Sequence, residues 1–220
     1  MAHLALSSEA IAMLSRLRRH WHGRRVQDPA FAPLYADPPA DEWVALDFET
    51  TSLDPAQAEI VAIGAVRIQG NRVLTGEALS IRVQAPASLS EHSVVIHGLR
   101  HQDLQQGMTL EAALRLLLAF IGPRELVGYH IAYDLRILNL ACQRCWGLTL
   151  AQRGIEVSRL YHDHLYRRYP DAAIDLHLAA ISSHIGLPTL PAHDALSDAI
   201  TAALIFLRLT RGGPLAYPKV

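Results

Sequence analysis

The chain has 220 residues, half of them hydrophobic and 19% charged, a balance that excludes disorder throughout and suffices for one domain of ordinary size with an extension. Lys and Arg total 20 against 21 Asp and Glu. The formal net charge of −1 excludes a protein that coats nucleic acid by bulk charge, so any nucleic-acid contact must be local.

Residues 1–40 read as a basic helical extension and Pro-rich connector, residues 41–212 as the main domain, and residues 213–220 as a short tail. Ser7 and Ser8 can cap a helix with Ile11, Leu14, Leu17 and Trp21 on one side and Arg16, Arg18, Arg19, Arg24 and Arg25 on the other. Gly23 ends it, and Asp28-Pro29, Ala32-Pro33 and Asp37-Pro38-Pro39 make the connector. Such a helix packs on the domain or on a protein partner, with a DNA-contacting arm or an Arg-rich organelle presequence as alternatives. No run is long enough to cross a membrane; the richest later one, residues 114–121, is far too short. A bacterial cytoplasmic protein is expected, with no membrane partner.

Trp43, Val44, Ala45 and Leu46 form an apolar strand that runs into Asp47, Phe48 and Glu49. Alternation puts Asp47 and Glu49 on one face and Phe48 on the other. Two acids so close raise each other's pKa unless a positive group, most simply a divalent metal, lies between them. The alternative is a solvated strand end followed by a Thr-Thr-Ser turn. Residues 59–68 form a second strand, Gly70-Asn71 a turn, and residues 72–83 a third strand, giving an antiparallel meander. Thr109 caps a helix to Ile121 whose broad face carries Leu110, Leu114, Leu117 and Leu118. Residues 125–129 form a buried strand, and His130 precedes a helix bearing Asp134, Ile137, Leu138 and Ala141, so Asp134 arises just past a strand end, where open α/β sheets build sites.

Cys142 and Cys145 form a C-x-x-C late in that helix, the wrong place for a thioredoxin-like pair. His162 and His164 lack the spacing of zinc partners, so the cysteines read as ordinary helix residues in a reducing compartment. Residues 155–160 form the last strand, and residues 161–169 a helix or loop in which Arg167 and Arg168 read as solvated cations before phosphate contacts. Residues 175–185 and 195–209 are helices. Residues five apart on a helix differ by about 140°, so His193 and Asp198 cannot share a helical face, and His193 belongs to the preceding loop. Asp194, four before Asp198, suits the positive helix start, but geometry alone does not choose between the two acids.

Three stretches, D-F-E-T-T from Asp47, H-I-A-Y-D from His130 and H-D-A-L-S-D from His193, stand in order across the domain. Together they resemble the DEDDh group of 3′→5′ exonucleases, the family of the bacterial replicative proofreading subunit. Ile131 departs from the Asn frequent in relatives, which bears on a supporting hydrogen bond and not on a metal ligand. The resemblance implies an α/β, ribonuclease H-like fold with a mixed five-stranded sheet flanked by helices. It implies metal ligands Asp47, Glu49, Asp134 and Asp198, the last selected over Asp194 by the family pattern, and His193 as the general base.

Four carboxylates suit two Mg²⁺ or Mn²⁺ ions, which stabilise the attacking and leaving oxygens of an in-line phosphoryl displacement, and histidine is the residue type suited to taking a proton near neutrality. The implied substrate contacts are Thr50, Thr51 and Leu53 after the first acid pair, His130, and His97 within the I-H-G-L stretch. Contacts to sugar and backbone would carry little base preference.

The expected function is hydrolysis of single-stranded DNA 3′ ends to nucleoside 5′-monophosphates, in proofreading or repair. A 3′→5′ exoribonuclease of the same fold and a degenerate docking subunit are the alternatives. A protein partner, if any, is expected through residues 1–40.

Overall fold

A computed structural model of the chain describes residues 8–89, 93–95, 98–188, 190–191 and 193–216, with side chains from residue 13 onward. Strand β1 (Glu42–Thr50) is the axis of the sheet. It pairs antiparallel with β2 (Ile60–Gln69) on one side and parallel with β5 (Glu125–Gly128) on the other. Two short strands, β3 (Arg72–Val73) and β4 (Leu79–Arg82), pair with β2, and β6 (Gly154–Glu156) extends the sheet parallel to β5.

The sheet therefore has six strands, in the order β3-β2-β1-β5-β6 with β4 also on β2. The expected third strand over residues 72–83 is broken by a 3-10 turn at Thr75–Glu77, where Gly76 adds no side chain to hold an edge strand flat.

The helices are α1 (Ser8–Gly23), α2 (His101–Leu104), α3 (Leu110–Ile121), α4 (Ile131–Trp146), α5 (Val157–Tyr166), α6 (Leu178–His184) and α7 (Ala195–Arg211). The strand expected over residues 155–160 lasts only to Glu156. There the Glu156 side chain accepts from the Ser158 amide and hydroxyl, which turns the chain into α5. The helix expected from residue 175 begins at Leu178, because the Asp175 carboxylate holds the His177 amide in a turn.

Each face of the sheet has its own core. Val44, Leu46 and Phe48 pack with Leu114, Leu117, Leu118, Ile137 and Leu138 of α3 and α4. Ala45, Val66, Ile68 and Val127 pack with Tyr161, Leu165, Ile181, Ala202, Ile205 and Phe206 of α5, α6 and α7. The resulting mixed sheet between two helical layers is a ribonuclease H-like arrangement. Cys142 is buried, with its thiol pushed up to about 12 by burial; Cys145 is exposed, and both are free.

Helix α1 joins the domain by the side that its sequence marks as basic. Arg19 is buried and donates to the carbonyls of Pro123 (2.8 Å) and Ala36 (3.3 Å), while Arg18 donates to those of Ala151 (2.6 Å) and Gln152 (3.0 Å). Chain segments entering the sheet leave carbonyls without N–H partners, and a guanidinium with five donors can satisfy several at once. Leu14, Leu17 and Trp21 consequently face outward. Among the described residues, no helix is long and apolar enough to cross a membrane.

Candidate active site

The last registered pair between β1 and β5 is Ala45–Val127 and β5 ends one residue later at Gly128, so residues 47–50 of β1 run on past the end of its neighbour. The strand alternation sends Phe48 into the α3–α4 core and Asp47 and Glu49 toward α7. What lets α7 come close is Gly64, the residue directly opposite Asp47 in the β1–β2 ladder. A Cβ on Gly64 would lie 2.1 Å from the Ala195 carbonyl carbon and 2.2 Å from the Leu196 nitrogen, so the first turn of α7 rests on bare backbone.

That turn delivers Asp198. One carboxylate oxygen each from Asp47, Glu49 and Asp198 lie within 4.8 Å of one another. Asp134, in the first turn of α4, is 3% exposed and close enough for its charge to act on Asp47.

His193 stands outside α7 in the left-handed region (φ 58°), and its amide donates to Asp198 Oδ2 at 3.2 Å. Asp194 caps α7 instead of joining the cluster, accepting from the Ser197 amide (3.0 Å) and hydroxyl (2.7 Å).

All four acids are raised above their ordinary values. Burial is the main cause at each. It is reinforced at Asp47 by Asp134, Asp198, Glu49 and Asp194, and at Glu49, raised to about 7, by Asp198 and Asp194. Asp134 rises to about 8 although hydrogen bonding to the Phe48 amide opposes the shift, and Asp198 rises although the His193 amide opposes it. Among the described residues, no arginine or lysine forms a salt bridge with any of them. An all-oxygen, multiply anionic set with no protein cation fits a hard divalent metal and does not fit a soft one.

A family model described as Exonuclease matches residues 44–206. The chain belongs to this exonuclease family. It is 31% identical over 166 residues to a DNA polymerase III PolC-type protein of Thermotoga maritima, a match covering 76% of this chain but 12% of that one. It is 25% identical to the DNA polymerase III subunit epsilon of Aquifex aeolicus, covering 76% of this chain and 79% of the relative. In structure it is similar to E. coli exonuclease I in complex with a dA16 oligonucleotide, with a TM-score of 0.67, 16% identity, and coverage of 79% of this chain and 42% of that one. The chain thus spans a small part of the PolC-type relatives and under half of exonuclease I.

In this exonuclease-family chain, the residues expected to touch substrate are differently disposed. Leu53 is 81% exposed at the tip of the loop after β1 and contributes nothing to the core. Thr50 is tied to Tyr133, with the two hydroxyl oxygens 2.7 Å apart, and Tyr133 also donates to the Ser52 carbonyl. Thr51 is buried, its hydroxyl accepting from Ser88 (3.1 Å) and the Glu59 amide (3.2 Å). His130 is the exposed residue before α4, left-handed at φ 59°, with its ring 4.3 Å from that of Tyr129. His97 lies outside the described residues. Arg167 and Arg168 are exposed beyond the end of α5.

Three contributors escaped the sequence reading. Gly64 left no trace there beyond a glycine inside a strand, which by itself signals a close approach. Tyr133 links the helix of Asp134 to the loop after Glu49. Glu156 accepts from the Ile131 amide at 3.1 Å while it caps α5, so a single carboxylate fixes the starts of α4 and α5. The E-x-S ahead of a helix was its only signature. Ile131 itself is buried against Gly128 and Gly154, so its apolar side chain serves packing at the root of α4.

Proposed function

We propose that the protein is a metal-dependent 3′→5′ exonuclease that removes nucleotides from single-stranded DNA ends as nucleoside 5′-monophosphates. The observation that carries this reading is the convergence of Asp47, Glu49 and Asp198 within 4.8 Å, beside the buried Asp134.

Asp47 and Glu49 on rigid β1, Asp198 on α7 and Asp134 on α4 would hold the divalent ions. When bound, these would supply charge neutralisation at the scissile phosphate and acidify the attacking water. The protein's own groups do the rest. His193, on the loop at the start of α7, receives the proton of that water. Its backbone bond to Asp198 ties the base to the metal-binding carboxylate.

The β1 loop, braced by Tyr133, presents Leu53 to the terminal base as an apolar wedge. His130 lines the α4 side of the cleft, and the backbone near Thr50 and Thr51 receives the terminal 3′-hydroxyl. Such contacts tolerate any base.

DNA is favoured over RNA by the names of the relatives, polymerase III subunits and an exonuclease I bound to a DNA oligonucleotide. Proofreading or repair is the corresponding setting. The test is degradation of single-stranded DNA and RNA of matched sequence with Mg²⁺ or Mn²⁺, with product analysis. Release of 5′-monophosphates faster from DNA supports the reading, whereas a higher rate on RNA replaces it with an exoribonuclease and no release from either overturns it.

A further inference from the structure

The inverted seating of α1 leaves a surface that the catalytic site does not use. At 100° per residue, Met13, Leu17, Trp21 and Leu14 fall within about 100° of arc. They are 65%, 54%, 53% and 53% exposed. The opposite side of the helix carries Arg19 and Gly23. A Cβ on Gly23 would stand 3.0 Å from Tyr35 Cβ, and Arg19 is spent on the carbonyls of Pro123 and Ala36. Turning the stripe inward would strand the Arg19 guanidinium and those carbonyls, so α1 holds an apolar face to the outside in fixed orientation. A contiguous exposed apolar patch on a rigid element marks an interaction surface.

The border of the stripe is cationic. Arg16 and Arg24 are exposed, and the Arg25 guanidinium lies over the Trp21 ring at 3.7 Å from its centroid; the described acid paired with this border is Asp37, 3.9 Å from Arg16 and itself exposed.

Location separates the stripe from the substrate. The acceptors of Arg18 and Arg19 precede β5 and β6, at the amino ends of the parallel strands, whereas the carboxylates lie beyond their carboxyl ends.

We propose that the stripe on α1 docks an amphipathic helix of another protein, one with apolar residues at three- and four-residue spacing flanked by Asp and Glu. Apolar side chains at i, i+4 and i+8 form the ridge that a second helix accepts, and an acidic flank answers Arg16, Arg24 and Arg25. A second copy of this chain fits less well, because it would bring the same arginines to the same boundary. A lipid surface also fits less well: a helix lying in a membrane interface turns a polar face to water opposite its apolar face, and here the face opposite the stripe, with Arg19 and Gly23, is seated on the domain.

The experiment places a photo-crosslinking residue at position 17 of the full chain, irradiates the cells that naturally produce it, and sequences the attached segment. The expected product is a segment of a different protein with the stated spacing and acidic flanks. As a synthetic peptide it should bind the purified full chain, with Kd rising about tenfold or more on Leu17→Asp and again on the triple change Arg16→Glu, Arg24→Glu, Arg25→Glu. Leu17→Asp lies on the surface and should leave 3′-end degradation and Tm unchanged. Attachment to this same chain, to lipid or to nucleic acid, a neutral or basic segment, binding indifferent to the charge reversal, or no attached segment at all would overturn the proposal.

Discussion

Gly64 faces Asp47 across the β1–β2 ladder, and the backbone of Ala195 occupies the space where a side chain on Gly64 would stand. The seat of α7, and with it the distance from Asp198 to Asp47, therefore depends on a missing methyl group. Gly64→Ala should destabilise the fold by about 1–3 kcal/mol or more and lower nuclease activity disproportionately, because a displaced α7 carries Asp198 out of the cluster. Thermal denaturation and rate measured at a temperature where the variant is folded separate the two effects. A variant with normal activity would show that α7 is free to move aside.

The raised carboxylates fix a sign for the pH dependence. Glu49 moves from an ordinary 4.5 to about 7 and Asp134 from 3.8 to about 8. Between the ordinary and the raised values the folded chain holds protons that the unfolded chain has released, so the contribution of these groups to metal-free stability is lost as pH rises from about 4 to about 8. Mg²⁺ replaces those protons and should raise Tm much more at pH 8 than at pH 5. Melting in EDTA and in Mg²⁺ across this range checks it; an increment independent of pH would contradict the link between metal and these acids.

His193 is assigned a proton-transfer role and not a ligand role. His193→Ala should lower kcat by about 10²–10⁴ while leaving Mn²⁺ affinity nearly unchanged. Asp198→Asn should weaken both. Paramagnetic measurement of Mn²⁺ binding beside steady-state kinetics distinguishes the pair.

In the proposed function Leu53 would contact the substrate, and Tyr133 would support the loop that carries it. Leu53→Ala removes an exposed side chain and should change stability by less than about 0.5 kcal/mol while raising KM for DNA. Tyr133→Phe removes hydrogen bonds to Thr50 and Ser52 and should cost about 0.5–1.5 kcal/mol as well as raising KM. Urea denaturation beside KM determination reads both.

Local chemistry made much of this architecture legible in the sequence. Alternation along residues 43–50 put Phe48 in one layer and two acids toward the other, Thr109 announced the start of α3, and the 140° argument kept His193 out of α7. The misread features depend on neighbours distant in sequence. Arg18 and Arg19 turn toward the domain because the carbonyls of Ala151, Gln152, Ala36 and Pro123 lie within their reach, a fact unavailable to an amphipathicity pattern. The strand after residue 154 yields to α5 because the Glu156 side chain caps a helix instead of continuing a ladder. Gly64 mattered only once the first turn of α7 was set on top of it.

The most direct measurement of the central claim uses a 5′-end-labelled single-stranded oligonucleotide, with Mg²⁺ or EDTA, and compares the wild type with Asp47→Ala. The expected result is a ladder of products shortened one nucleotide at a time from the 3′ end, formed only by the wild type and only with the metal. Equal shortening by Asp47→Ala, or shortening that persists in EDTA, would contradict it.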